Sequence, residues 1–421
     1  MELKIQKFNI RKIQPANRTA YKNGILSIHK KELAELISRD PRIKHVEIEV
    51  AQPGDQIRIT NILEITEPRV KERQHPVYYP GMLEELYLAG EGTTNVLAGA
   101  AVFEIGSIPE FFGGLVDMAG EGARYTPFSK THNVCIIMEP TPDVEAAEYG
   151  LALKKAGLRA SVYLAKATSG MTPDEIEIFS LDGLRDRRGE LPRIGYLFQL
   201  HSHGDSREPF IYGDNPRRYY PTILHPNEIL DGAVVCGHYN ISMALKNTTY
   251  SILNHPVIVG LYERHGRELD FCGVVAAPEP TSLKEIRRTA TMSANLLKNI
   301  LKVDGVIITK EGGGHTDVDI MQNCEECERR GIKTVIIDNE WLGPDGAGEV
   351  PLLAVSPHAR AIVSVGNVDG TIDLPGMDEI FGGNAMTEIK GELKGAIKLP
   401  LRFVPNAISQ LGLTYLTTEI R

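Results

Sequence analysis

Cysteine is scarce: the 421 residues contain five, Cys135, Cys236, Cys272, Cys324 and Cys327. A chain of this length with so few thiols is not built on a disulfide framework. Basic residues are outnumbered, with 46 Lys and Arg against 55 Asp and Glu and a formal net charge of -9. The broad cationic surface of a non-specific nucleic-acid binder is therefore missing. No apolar run approaches the roughly 18 residues of a membrane span. The opening residues, Met1-Glu2-Leu3-Lys4-Ile5-Gln6-Lys7, lack the apolar core of a signal peptide. Repeats and low-complexity tracts are also missing. These absences predict a cytoplasmic globular protein without nucleic-acid or membrane partners. Its 42% hydrophobic and 24% charged residues are ordinary for that class. The length predicts more than one domain core.

What is present is a change of pattern along the chain. Residues 1–130 read as a β-rich, Gly-rich N-terminal region, with strands over 25–29 and 46–50 and a short helix over 31–38. Turn signals cluster at Tyr79-Pro80-Gly81, Ala89-Gly90-Glu91-Gly92 and Phe112-Gly113-Gly114. From residue 133 apolar strand runs alternate with helical patterns. Strands are predicted over 133–139, 160–165, 194–200, 271–276, 305–309, 334–337 and 361–365, and helices over 143–156, 282–302 and 317–330. Alternation of this kind implies parallel sheets covered by helices. The expected fold is α/β with two lobes of mainly parallel sheet, 131–240 and 241–421, following the N-terminal region.

Ligands in open parallel sheets bind beyond the carboxyl ends of the strands. After the 194–200 strand comes His201-Ser202-His203-Gly204-Asp205. Two imidazoles one residue apart in extended chain point the same way. With a carboxylate two residues on, they form a candidate site for zinc or iron, against the plainer reading of a polar loop. After the 305–309 strand comes Glu311-Gly312-Gly313-Gly314-His315-Thr316-Asp317-Val318-Asp319. Gly312, Gly313 and Gly314 permit close backbone approach to a cofactor, and the helix start that follows favours anions. Asp317 or Thr316 equally suits an ordinary helix cap. A third cluster, Cys236-Gly237-His238-Tyr239-Asn240, offers a thiol and an imidazole as metal ligands or as nucleophile and base. Cys324 and Cys327 have metal-like spacing but no second pair and fall in a helical pattern, so a structural role is expected. Arg217-Arg218-Tyr219-Tyr220 suits either a carboxylate ligand or a solvated surface.

Further segments carry a family resemblance. They are Glu67-Pro68-Arg69-Val70-Lys71, Tyr79-Pro80-Gly81-Met82, Gly90-Glu91-Gly92 through Val96-Leu97, Asp117-Met118 and Tyr125-Thr126-Pro127-Phe128-Ser129-Lys130. Later come Asp231-Gly232-Ala233, Lys246-Asn247-Thr248-Thr249-Tyr250, His255-Pro256-Val257 and Leu261-Tyr262-Glu263-Arg264-His265-Gly266. Nearly end to end, the chain resembles the proprotein of component B of glycine, sarcosine and betaine reductases. The resemblance implies an oxidoreductase subunit acting on a small amino-acid-like amine by reductive C–N cleavage. It implies a chain cleaved in its middle, with a cysteine at the new terminus converted to a pyruvoyl group. A selenol or thiol partner subunit and a homo- or hetero-oligomer are implied as well.

The chain departs from that pattern at the processed cysteine. Counted from Asp231-Gly232-Ala233 its place falls on Tyr239, and counted back from Lys246-Asn247-Thr248-Thr249-Tyr250 it falls on Asn240. Neither has the β-thiol or β-hydroxyl that pyruvoyl formation needs. Cys236 could serve only if cleavage fell between Val235 and Cys236. The family pattern implies uncharged residues where this chain has His201, His203 and His315. Cys236, His238, Tyr239 and Asn240 are therefore the candidate catalytic residues. His201, His203, Cys236, His238, His315, Asp205 and Asp319 are the candidate ligands of a divalent metal. Three readings follow: a reductase component, an uncleaved metal-dependent hydrolase, lyase or isomerase on the same scaffold, and a non-catalytic scaffold subunit. His225 and His265 lie in family-like stretches and are left with structural or substrate-contacting roles.

Overall fold

The computed structural model describes residues 1–413 except 74–76, 84–85, 110, 182–189, 203–208, 239–245, 350 and 388. The fold is α/β. Its first large sheet is mixed. The strand order is Gly114–Asp117, Ile57–Thr66, Ala100–Ile105, His132–Pro140 and Ile43–Ala51, and Glu379–Phe381 also pairs with Ile57–Thr66. All neighbours are antiparallel except Ala100–Ile105 with His132–Pro140 and Glu379–Phe381 with Ile57–Thr66. The 133–139 run thus shares a sheet with the N-terminal region. A smaller sheet joins Glu175–Ser180, Glu2–Asn9, Gly92–Ala98 and Arg69–Lys71.

One helix, Ala146–Ala165, covers the mixed sheet. The strand expected over 160–165 is its last two turns. Tyr149, Leu153, Ala156, Ala160 and Leu164 are all buried, and their spacing of three and four residues is helical. The short apolar run at its end looked like a strand only when cut from that longer period. The helix begins at Ala146 because its N-cap Glu145 is extended, at ψ 140°, and Asp143 before it sits at φ 64°.

The second large sheet carries the expected parallel pairing. Its order is Thr222–Leu224, Asp270–Glu279, Arg193–His201, Gly305–Thr309, Lys333–Glu340 and Ile362–Asn367. Only the short Thr222–Leu224 runs antiparallel. The strands are rich in β-branched and apolar residues, as strands buried on both faces are. Leu197, Val275, Val306, Ile308 and Ile336 form one core with Ala294, Ile320 and Cys324 of the covering helices Leu283–Asn295 and His315–Arg329. The helix expected over 282–302 turns π-helical at Leu296–Ile300. Cys324 and Cys327 are buried inside their helix, with Cys324 Sγ 3.2 Å from Thr334 Oγ1.

The C-terminal segment returns to the first sheet. Arg58 is buried, paired with Asp117 at 2.6 Å, and donates to the carbonyls of Pro375, Leu393 and Gly395. Thr60 Oγ1 lies within hydrogen-bond range of the Phe381 and Gly383 carbonyls. Among the described residues no helix is long and apolar enough to cross a membrane.

Candidate active site at the carboxyl edge of the parallel sheet

Three central strands of the parallel sheet end in, or run directly into, charged residues. His201 closes one strand and Glu279 its neighbour, and the two are register partners. Lys310 and Glu311 directly follow Gly305–Thr309. All four are buried. Buried charges persist only when paired or hydrogen-bonded, and here part of that pairing lies within the group. The Glu311 amide donates to Glu279 Oε1 at 2.9 Å. The Glu311 carboxylate accepts from the amides of His201 at 3.2 Å and Asn247 at 2.9 Å. His201 Nδ1 lies 3.5 Å from Glu279 Oε2. Burial pushes the Glu279 carboxyl well above the usual range, and the nearby Glu311 charge adds to this. Asp319 is held well above its usual range by burial and then by the Glu279 charge. Its Oδ1 accepts from Asn323 Nδ2 at 3.0 Å. Burial alone would lower Lys310, but Asp338 at 3.0 Å and Asp317 at 3.4 Å raise it, so it stays cationic.

The protein's own side chains hydrogen-bond Gly312 and Gly314. Gly312 sits at φ 81° and Gly314 at φ 92°, where a side chain would be strained. The Gly312 carbonyl accepts from Lys310 Nζ at 2.8 Å and Gln410 Nε2 at 2.7 Å, and its amide donates to Gln410 Oε1 at 2.8 Å. Asp317 Oδ2 takes the Gly314 amide at 2.7 Å and so occupies the helix start. His315 is the first residue of that helix and is half-buried.

Cys236 follows the short strand Val234–Val235 and is buried. Its thiol donates to the Asn247 carbonyl at 2.6 Å and lies 3.4 Å from Glu311 Oε1. Burial pushes this thiol well above its usual value, the reverse of an activated nucleophile. A thiol committed to a carbonyl and kept protonated is not poised for acyl transfer, so the described residues do not fit a pyruvoyl precursor. His203, Asp205, Tyr239 and Asn240 lie outside the described residues.

His238 meets a different carboxylate. Its Nε2 is 3.7 Å from Glu104 Oε2, and its ring meets Phe111 edge-on. The covering helix makes room for this pair through Gly150 and Gly157: a β-carbon at Gly157 would collide with the Glu104 carboxylate. Next to it, Lys154 pairs with Glu64 and donates to the Gly237 carbonyl at 3.2 Å. Glu64 also takes the Thr249 amide and hydroxyl, both at 2.9 Å. Thr249 Oγ1 accepts the Cys236 amide at 3.1 Å. One buried polar seam thus runs from Glu279 through Glu311, Cys236, Thr249 and Glu64 to Lys154. His201, Cys236 and Asp319 belong to its sheet-edge end, while His238 lies beside Lys154. Among the described residues no group of three His, Cys, Asp or Glu side chains is arranged to hold a metal.

Glu279, Glu311, Glu64, Glu104 and Lys154 carry most of this seam and have no motif. The available signal was weak: a charge directly at the end of an apolar strand, as in Pro278-Glu279-Pro280 and Lys310-Glu311. A cleft of about 340 Å³ opens beside the sheet-edge end, lined among others by Ser202, Arg217, Tyr219, Glu279, Arg288 and Thr289.

Comparison with known proteins agrees over the whole length. The family model for glycine/sarcosine/betaine reductase component B subunits matches residues 1–403. The glycine reductase complex component B subunits alpha and beta of Acetoanaerobium sticklandii are 36% identical over 431 residues, covering all of both chains. The protein of the same description from Peptoclostridium acidaminophilum is 36% identical over 429 residues, again covering all of both. The sarcosine reductase complex component B subunit alpha of that organism is 36% identical, covering 91% of this chain and 89% of its own. No solved structure matches. The chain therefore belongs to the glycine/sarcosine/betaine reductase component B family.

Proposed function

We infer that the chain is a substrate-binding catalytic subunit of a multi-component reductase acting on a small amino-acid-like amine. The reaction is reductive cleavage of the C–N bond, within a homo- or hetero-oligomeric assembly. The observation that carries this reading is the His201–Glu279–Glu311 cluster beside the sheet-edge cleft, in a chain related end to end to glycine reductase component B. In C–N cleavage the nitrogen leaves with a proton and the carbon passes to a nucleophile. A buried carboxyl beside an imidazole is suited to manage the proton on that nitrogen. Burial raises all five thiols of this chain. The nucleophile and the two electrons therefore come from a thiol or selenol on a partner subunit.

Reconstitution with such a partner and excess dithiol tests the reading. Release of ammonia or methylamine in proportion to the added chain is expected. No release under conditions where the glycine reductase relatives are active overturns it. Intact mass under denaturing conditions is expected to show one full-length chain. Two fragments meeting at Val235–Cys236 would instead make Cys236 the source of a pyruvoyl group. The metal-dependent alternative, which needs His203 and Asp205 beside His201, is tested by elemental analysis of protein purified without a His-tag. A stoichiometric transition metal with no amine release would move the assignment to that alternative.

A further inference from the structure

Two guanidinium groups line the sheet-edge cleft without an ion-pair partner among the described residues. Arg217 lies in the turn Pro216–Arg218, where the Asn215 side chain accepts the Arg217 amide at 2.8 Å. The Asp214 carboxylate accepts the Tyr219 hydroxyl at 2.6 Å and the Asn215 amide at 2.8 Å, which pins the turn. Neither Asp214 nor Asn215 reaches the Arg217 guanidinium. Arg288 projects from Leu283–Asn295 and lines the same cleft. Glu285, the acid on the same rim, is engaged by the Ser282 hydroxyl at 2.6 Å. Glu279 also touches this cleft, but its carboxyl is fully buried and lies beside His201. One pocket therefore offers two cations that no described residue compensates.

We propose that this cleft is the recognition site for the substrate's carboxylate. Arg217 and Arg288 take the carboxylate of a small amino-acid-like zwitterion. The proposal rests on the function given above and names the residues that confer its specificity. Planar guanidinium groups match carboxylate geometry, and charge-assisted hydrogen bonds are the stronger kind. The volume, about 340 Å³, is at the small end of ligand pockets. Tyr219 and Tyr220 give the mouth an aromatic side on which the ligand's carbon chain can lie.

Calorimetric titration of the full chain tests this, with glycine, N-methylglycine and N,N,N-trimethylglycine as probes. Acetate and methylamine serve as the two half-ligands. At least one zwitterion is expected to bind, with methylamine, which lacks the carboxylate, about tenfold weaker or worse. Arg217→Met and Arg288→Met are each expected to weaken binding by about tenfold, with Arg288→Lys recovering part of it. Both side chains are exposed, so their melting temperatures stay at the wild-type value. Binding within twofold of wild type in both Arg→Met variants overturns the proposal, as does the failure of every zwitterion to bind. Binding is read without turnover, so the two ideas fail separately. Zwitterion binding that depends on the arginines, but with no amine release, overturns the reductase reading alone. Amine release that ignores the Arg→Met changes overturns the cleft assignment alone.

Discussion

His201 and Glu279 are register partners on adjacent parallel strands, and their side chains approach to 3.5 Å at the buried carboxyl edge of the sheet. The pair exists because two strands of different sequence, Arg193–His201 and Asp270–Glu279, end at the same height. Burial is the main cause of the raised Glu279 carboxyl, and His201, Glu311, Lys310, Asp317 and Asp319 are the charged groups around it.

A carboxyl raised in the folded state stabilises the fold fully below its unfolded pKa. That contribution fades as pH rises towards the folded value, because the unfolded chain then ionises more readily. Glu279→Gln removes the titration while keeping an acceptor for the Glu311 amide. The variant is expected to match wild type in melting temperature near pH 4.5 and to exceed it by roughly 2 °C at pH 8. Scanning calorimetry at the two pH values measures this. A variant less stable at pH 8 than at pH 4.5, relative to wild type, contradicts it.

His255 provides the opposite case. It is buried, with Nε2 3.0 Å from the Tyr196 hydroxyl, which in turn lies 2.5 Å from Thr309 Oγ1. Burial pushes its pKa down to about 3. The neutral ring contributes stability above the unfolded pKa, which is lost as pH falls. The expected loss is about 1.4 kcal/mol per pH unit below roughly 6.5. Urea unfolding between pH 7 and 4 should show this slope, and His255→Leu should flatten it.

Lys154 and Glu64 form a buried ion pair. Lys154→Met leaves the Glu64 carboxylate buried without its cation and is expected to cost about 3–5 kcal/mol. Adding Glu64→Gln should return much of that loss, since it removes the unpaired buried charge and its amide oxygen can still accept the Thr249 amide. Equal stabilities for the single and double variants would show that the pair does not matter.

The two glycines of the covering helix should respond differently to alanine. At Gly150 a β-carbon would lie 3.3 Å from His238 Cε1, a close but yielding contact. Gly150→Ala is expected to be near neutral, because helix propensity returns about 1 kcal/mol. At Gly157 the new carbon would meet the Glu104 carboxylate, held in the seam. Gly157→Ala is expected to destabilise by about 1–3 kcal/mol. Chemical denaturation of both variants checks the order.

Sequence pattern determined the local elements wherever period and length agreed. The runs at 194–200, 271–276 and 305–309 became strands because continuous β-branched and apolar stretches suit a sheet buried on both faces. The glycines before His315 formed a tight turn because Gly312 and Gly314 adopt positive φ. Pattern failed at 160–165, where six residues look alike in either period and only the preceding turns of Ala146–Ala165 decide.

Which charges meet was decided by tertiary structure. His201 and His238 lie in similar polar loops of the sequence, yet one ends beside Glu279 and the other beside Glu104. Strand register sets the first pairing, and the gaps at Gly150 and Gly157 shape the second. Glu64 and Glu311 are separated from their hydrogen-bond partners Thr249 and Asn247 by 185 and 64 positions. A periodicity of two or 3.6 residues carries no information over such distances. Sheet order brings those residues together, and burial raises the cost of leaving any of them unpaired.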